Sequence, residues 1–274
     1  MSKATSSIAT MRNDTRTLFV SSTLLSTLAF NLTFFLQELF LVIPKAVTPG
    51  LHPVLYHNNH IWTGDSPYAP LLQGTGALAD IICGVVFSVL FAISARQPTT
   101  ARLFLFWTSF EAFVQGLPQT VIGAFVPQND VGMALTYLGL SANAKLVVAV
   151  AAVAAMGAAG FWLAPKFVAA FADEKEGATV GRRFGFIART ALLPSLVMVV
   201  LSIPFRVPRN MIEVALVPLV FNLFGMIWLL AGAWRQPALP VAPQPARPDI
   251  TRPAIAVVAL LAFFQLVLRP GIAF

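Results

Sequence analysis

Apolar residues run in long blocks along almost the whole chain, each broken by a short polar or proline-bearing segment. A helix needs about 20 mostly apolar residues to cross a bilayer. Seven blocks approach that length: Leu18–Ile43, Leu71–Ala95, Leu103–Phe125, Leu146–Ala164, Phe186–Ile203, Met211–Ala233 and Ala254–Leu268. The last is the shortest, and the count falls to six if it only lies in the interface. Pro44, Pro70, Pro165, Pro204 and Pro237 fall at block ends, where a ring that interrupts a helix belongs.

The pattern predicts an all-α polytopic transmembrane bundle of about seven spans. Composition agrees: 57% of residues are hydrophobic and 11% charged, with a mean hydropathy of +0.78. A soluble domain carries roughly 25% charged residues. The net charge of +7 does not indicate nucleic acid, because the basic residues lie in short segments between blocks without interleaved aromatics. Thirteen of the 18 Lys and Arg residues fall in alternate connections beginning with the N-terminus, which places that terminus in the cytoplasm. The expected location is a plasma membrane or bacterial inner membrane, and the expected partner is the lipid bilayer.

Four regions follow. Residues 1–17 form a cytoplasmic segment, and 18–233 the helix bundle with an outer loop at 45–70. Residues 234–253 form a Pro-rich cytoplasmic linker, and 254–274 a final span or membrane-associated segment. The outer loop is rich in His, Asn, Trp and Pro, and loops of such length are functional or disordered. Its aromatic content argues for order. Cys83, the one cysteine, lies inside an apolar block, so neither a disulfide framework nor a cysteine zinc site can form.

An ionisable side chain at the bilayer centre costs about 2.5–3.5 kcal/mol on insertion scales and marks a functional site by default. Three blocks carry one each. Glu38 has Asn31 seven residues earlier, on the same helical face. Asp80 lies four residues from both Gly76 and Gly84, with Gln73 seven residues earlier, a small and polar stripe suited to close helix approach. Glu111 is followed at four-residue intervals by Gln115 and Gln119. Packed together, these residues would make one polar interior able to protonate or to hold a cation.

In the outer loop His57 and His60 are three apart, a spacing at which two imidazoles on a helical turn face one ion. With Asp130 they make a candidate metal set, and Glu38 is the candidate general base. The sequence names no cofactor, and a divalent metal such as zinc is compatible with this set. The bland alternatives are interfacial contacts for the histidines and turn chemistry for Asp130.

Taken in order, QELFL at 37–41, QGTGALAD at 73–80 and PQNDVG at 127–132 resemble the motifs of site-2-protease-like membrane metalloproteases. The resemblance covers roughly residues 30–140. It implies a general-base role for Glu38 and a carboxylate-ligand role for Asp130. Gln37 and Leu41 occupy the two histidine positions of that family's HExxH motif, and leucine cannot bind a metal.

Three functions are compatible with these residues. One is transport or binding of a proton, metal ion or small solute through the acids and amides. A second is metal-dependent hydrolysis of a degenerate site-2-protease type. The third is a non-catalytic accessory or assembly role beside another membrane protein.

Overall fold

A computed structural model describes residues 2–234 and 246–274, with side chains from residue 15 onward. Six helical stretches are long and apolar enough to cross a membrane. The first belongs to α1 (Ser2–Ala46), which continues through residues 2–17 rather than leaving them as a separate segment. Those residues contain no Gly or Pro to break a helix. Next come α2 (Ala69–Leu72) with α3 (Thr75–Ile93), and α6 (Ala142–Phe171). The fourth joins α8 (Val180–Ile187) to α9 (Leu193–Leu201) through a π-helical turn at Ala188–Leu192. The fifth is a π turn at Ile212–Leu216 running into α11 (Val217–Trp234). The sixth, α12 (Thr251–Phe263) with a π turn at Phe264–Leu268, is the block whose spanning was least certain from length.

The block at Leu103–Phe125 also forms a helix, α4 (Thr99–Phe125), of 27 residues or about 40 Å. It is not among the six apolar stretches, and it is the most enclosed element, packed against α1, α3, α6 and α11. A helix surrounded by protein has no lipid to satisfy, so it carries Thr108, Ser109, Glu111, Gln115 and Gln119 inside the bundle. The outside is apolar: Ile93, Val147, Val200 and Leu266 are all exposed.

Short elements cap the end reached by α1. Strands β1 (Leu51–Leu55) and β2 (His60–Gly64) pair antiparallel, and β3 (Ile272–Ala273) adds to β1, giving the order β2-β1-β3. The loop at 45–70 is therefore a β-hairpin, a small departure from an all-α fold. α5 (Asp130–Tyr137) and α10 (Ile203–Arg206) lie at the same end. The opposite end holds α7 (Glu174–Gly177), where Asp173 and Glu176 form a reciprocal capping box. Of the Pro-rich linker, residues 235–245, including Pro237, lie outside the described residues, and α12 begins at Thr251. Pro44 and Pro165 fall inside helices, whereas Pro70 and Pro204 stand in the first turns of α2 and α10.

Between the hairpin end and its opposite, aromatic rings fill the bundle. Phe106 and Phe167 pack with rings tilted by 41° and centroids 4.4 Å apart, and Trp107 meets Phe110 edge-on. The Trp107 indole donates to Ser22 Oγ at 2.9 Å, tying α4 to α1. Small residues set the other crossing: a Cβ on Gly116 would lie 2.9 Å from Ala77 O, so α3 and α4 are in backbone contact there.

Candidate functional site

The hairpin end of α1 holds a buried polar cluster. Glu38 and Lys45 are seven residues apart, two helical turns, and so share one face. β2 lies over that face and brings His60 Nδ1 to 2.8 Å from Glu38 Oε2. On the other side of the ring, His60 Nε2 lies 3.1 Å from Gln73 Oε1. Gln73 Oε1 also accepts from Lys45 Nζ at 2.5 Å, and Gln73 Nε2 donates to Asp130 Oδ1 at 3.0 Å. Lys45 donates further to Leu41 O at 2.8 Å and lies 4.9 Å from the Trp62 ring centre, while Trp62 stacks on His60.

These contacts fix the roles of the amide. A lysine only donates and a carboxylate accepts, so Gln73 must turn its oxygen to Lys45 and its nitrogen to Asp130. His60 Nδ1 thus faces Glu38, and Nε2 lies between Gln73 Oε1 and Lys45 Nζ, the latter at 3.5 Å. The cluster gathers two basic side chains, Lys45 and His60, and two acidic ones, Glu38 and Asp130. Burial pushes the Asp130 carboxyl above the usual range, against the opposing pull of His60, Lys45 and Arg209.

A cavity of about 270 Å³ adjoins the cluster. The two share walls, because Gln37 and Asn129 line the cavity while their chain neighbours Glu38 and Asp130 belong to the cluster. Gln37 and Gln119 exchange hydrogen bonds at 3.3 and 2.8 Å, and Gln115 also lines the cavity while donating to Thr33 Oγ1 and Phe30 O. Asn222, another lining residue, donates to Glu111 Oε2 at 3.3 Å. Glu111 thus stands one layer behind the cavity wall.

No family model, no curated protein and no solved structure matches this chain. The site is therefore described from its own geometry.

That geometry sorts the sequence candidates. Glu38, His60 and Asp130 meet in the cluster, with Gln73 between them. Gln115, Gln119 and, through Asn222, Glu111 belong to the cavity. Asn31 points elsewhere, donating to Thr27 O at 2.8 Å and Ser202 Oγ at 3.1 Å. Asp80 is fully buried where α3 crosses α4, and neither of its carboxylate oxygens has a hydrogen-bond partner among the described residues. The three acids therefore do not meet at one point: Glu38 lies in the cluster, Glu111 behind the cavity wall, and Asp80 at the α3–α4 crossing, where the Glu38 charge still acts on it.

The metal set His57, His60 and Asp130 does not assemble. His57 stands in the hairpin turn and His60 in a strand, so the helical spacing that would have joined them is absent. His57 Nε2 lies 3.0 Å from Val207 O instead, and burial lowers its affinity for a proton below the usual histidine range. Among the described residues no three His, Cys, Asp or Glu side chains are placed to hold an ion.

The sequence pattern does not mark Lys45, Asn222 or Arg206 as site residues. Lys45 and Arg206 are among the five basic residues outside the 13 that set the orientation, and both are buried. Two signals pointed to them: the seven-residue step from Glu38 to Lys45, and a lone Asn222 inside an apolar block.

Proposed function

We propose that this protein binds a small solute in the amide-lined cavity and couples that binding to a proton held by the adjoining cluster. The observation that carries the reading is the shared wall: residues 37/38 and 129/130 each put one side chain in the cavity and the next in a buried network of acidic, basic and amide groups. Asp130 is the member whose proton affinity burial raises, and Glu38, Lys45, His60 and Arg209 are the charged groups acting on it. A proton on Asp130 removes negative charge from the cavity wall and favours an anion there. By reciprocity an anion in the cavity favours the proton.

The topology that suits this reading is seven crossings with the N-terminus in the cytoplasm. Pairing of β3 with β1 supports the odd number, since the chain leaves α1 at the hairpin end and returns to that end after α12. The cluster and the hairpin then face outward. Solute-driven proton movement in proteoliposomes tests the function: with a gradient of a small carboxylate, wild type should move protons with the anion, read by a trapped pH dye, and Glu38→Gln and His60→Gln should reduce that rate at least tenfold. Absence of proton movement above protein-free liposomes, or full activity in both variants, refutes it.

One observation favours a second reading. The three segments resembling membrane metalloproteases supply Glu38, Gln73 and Asp130 to one cluster. On that reading the Lys45 ammonium occupies the place of a cation, and the chain is a relative that has exchanged metal chemistry for a fixed charge. Elemental analysis of wild type and Lys45→Ala bears on it: stoichiometric metal in wild type would refute the exchange.

A further inference from the structure

The cavity contains a guanidinium with no directly bonded partner among the described residues, although the Glu38 and Glu213 carboxylates act on its charge from nearby. Arg206 is 6% exposed, lines the cavity, and donates no side-chain hydrogen bond and forms no ion pair among the described residues. Its guanidinium lies over the Phe34 ring at 4.1 Å and near Phe30 at 5.6 Å. The second arginine of the cavity is already engaged: Arg209 pairs with Glu213 at 2.8 Å and donates to Asn58 O and Asn59 Oδ1. The backbone around Arg206 is held firmly, since Asn58 donates to its carbonyl and His57 to that of Val207.

An unpaired buried guanidinium is costly, and five donors in a planar fork match a carboxylate or phosphate. Amides of Gln37, Gln119 and Asn129 line the same space, beside the faces of Phe30 and Phe34. The volume of about 270 Å³ equals roughly nine waters at about 30 Å³ each, room for an anionic head and a short apolar stem.

We infer that Arg206 is the anchor of a binding site for an amphiphile with one carboxylate or phosphate head, its apolar portion lying along Phe30 and Phe34. The inference names the solute class for the proton-linked reading and rests on that reading for its purpose, but binding is measured without it. The head can come from a free solute or from a membrane lipid.

The test uses the full chain in nanodiscs of neutral phosphatidylcholine, with octanoate, octyl phosphate and octanol titrated by calorimetry. Octanoate or octyl phosphate should bind at least tenfold more tightly than octanol. Arg206→Gln should abolish that preference, and Arg206→Lys, which keeps the charge without the fork, should retain part of it. Displacement of octanoate by phosphatidylglycerol identifies a lipid as the source of the head, and its persistence identifies a free solute. Equal binding of octanoate and octanol to wild type, no binding of either anion, or an unchanged preference in Arg206→Gln overturns the inference. If Arg206→Gln does not fold, the wild-type comparison of acid with alcohol still decides. Wild type separates the two proposals: tight octanoate binding without solute-driven proton movement keeps the anion site and removes the proton link.

Discussion

Replacing Lys45 with Met keeps the unbranched stem and removes the ammonium from the centre of the cluster. Lys45 is fully buried, donates to Leu41 O and Gln73 Oε1, and stands near both Glu38 and Asp130. Breaking a buried charge pair by deleting one partner costs about 3–5 kcal/mol, because the other charge is left uncompensated. At about 2–4 °C per kcal/mol, the expected loss is about 6–20 °C in melting temperature. Thermal unfolding in a mild detergent, followed by intrinsic fluorescence, measures it. Adding Asp130→Asn removes the stranded negative charge, so the double variant should be at least about 1 kcal/mol more stable than additivity predicts.

The pH dependence carries a sign. Asp130 already titrates above its ordinary value of 3.8, and losing Lys45 removes a positive charge that holds it down. A carboxyl with a raised folded-state value contributes stability that is present in acid and lost as pH rises through that value. The penalty of Lys45→Met should therefore be smallest in acid and grow as pH rises toward neutrality. A loss below about 2 °C, strict additivity with Asp130→Asn, or a penalty that grows in acid would refute the ion cluster.

Gly116→Val should destabilise the bundle by about 2 kcal/mol or more, since its Cβ would lie 2.9 Å from both Ala77 O and Asp80 Cβ; the same melting assay detects this. Gln119→Leu should cost about 1–2 kcal/mol by leaving Gln37 half-satisfied at the cavity wall, and Gln37→Leu in the same chain should restore part of it. After Cys83→Ala, a membrane-impermeant maleimide should label Asp65→Cys in intact cells and Glu174→Cys only after permeabilisation. The reverse pattern would invert the proposed orientation. His52→Ala should leave solute-driven proton movement unchanged, because its side chain is exposed on β1 and does not line the cavity.

The lengths and places of the helices were legible in the sequence because lipid imposes a simple rule on each segment separately: about 20 apolar residues, with backbone groups satisfied internally. The same local logic marked Glu38, Gln115 and Gln119, whose polarity stands out against apolar surroundings, whereas His60 and Asp130 were marked by residue type within polar connections. What each one touches was not local. Glu38 meets His60 only because the 45–70 loop folds back as a hairpin, which also parts His57 from His60. Asp80 and Glu111 lie on neighbouring helices, but the faces that α4 turns toward α3 and α11 separate them.

Charge counting marked Lys45 and Arg206 as signs of topology and could not see them as interior groups. A charge near the end of an apolar block reads the same whether it reaches water or turns inward. Tertiary packing made that choice: the hairpin closed over Lys45, and α10 drew Arg206 against Phe34. The sequence by itself determined a membrane bundle with polar residues in its interior. Only the folded chain decided which of them form a buried cluster and which line the adjoining cavity, because hydrogen bonds between distant segments depend on the path of the backbone between them.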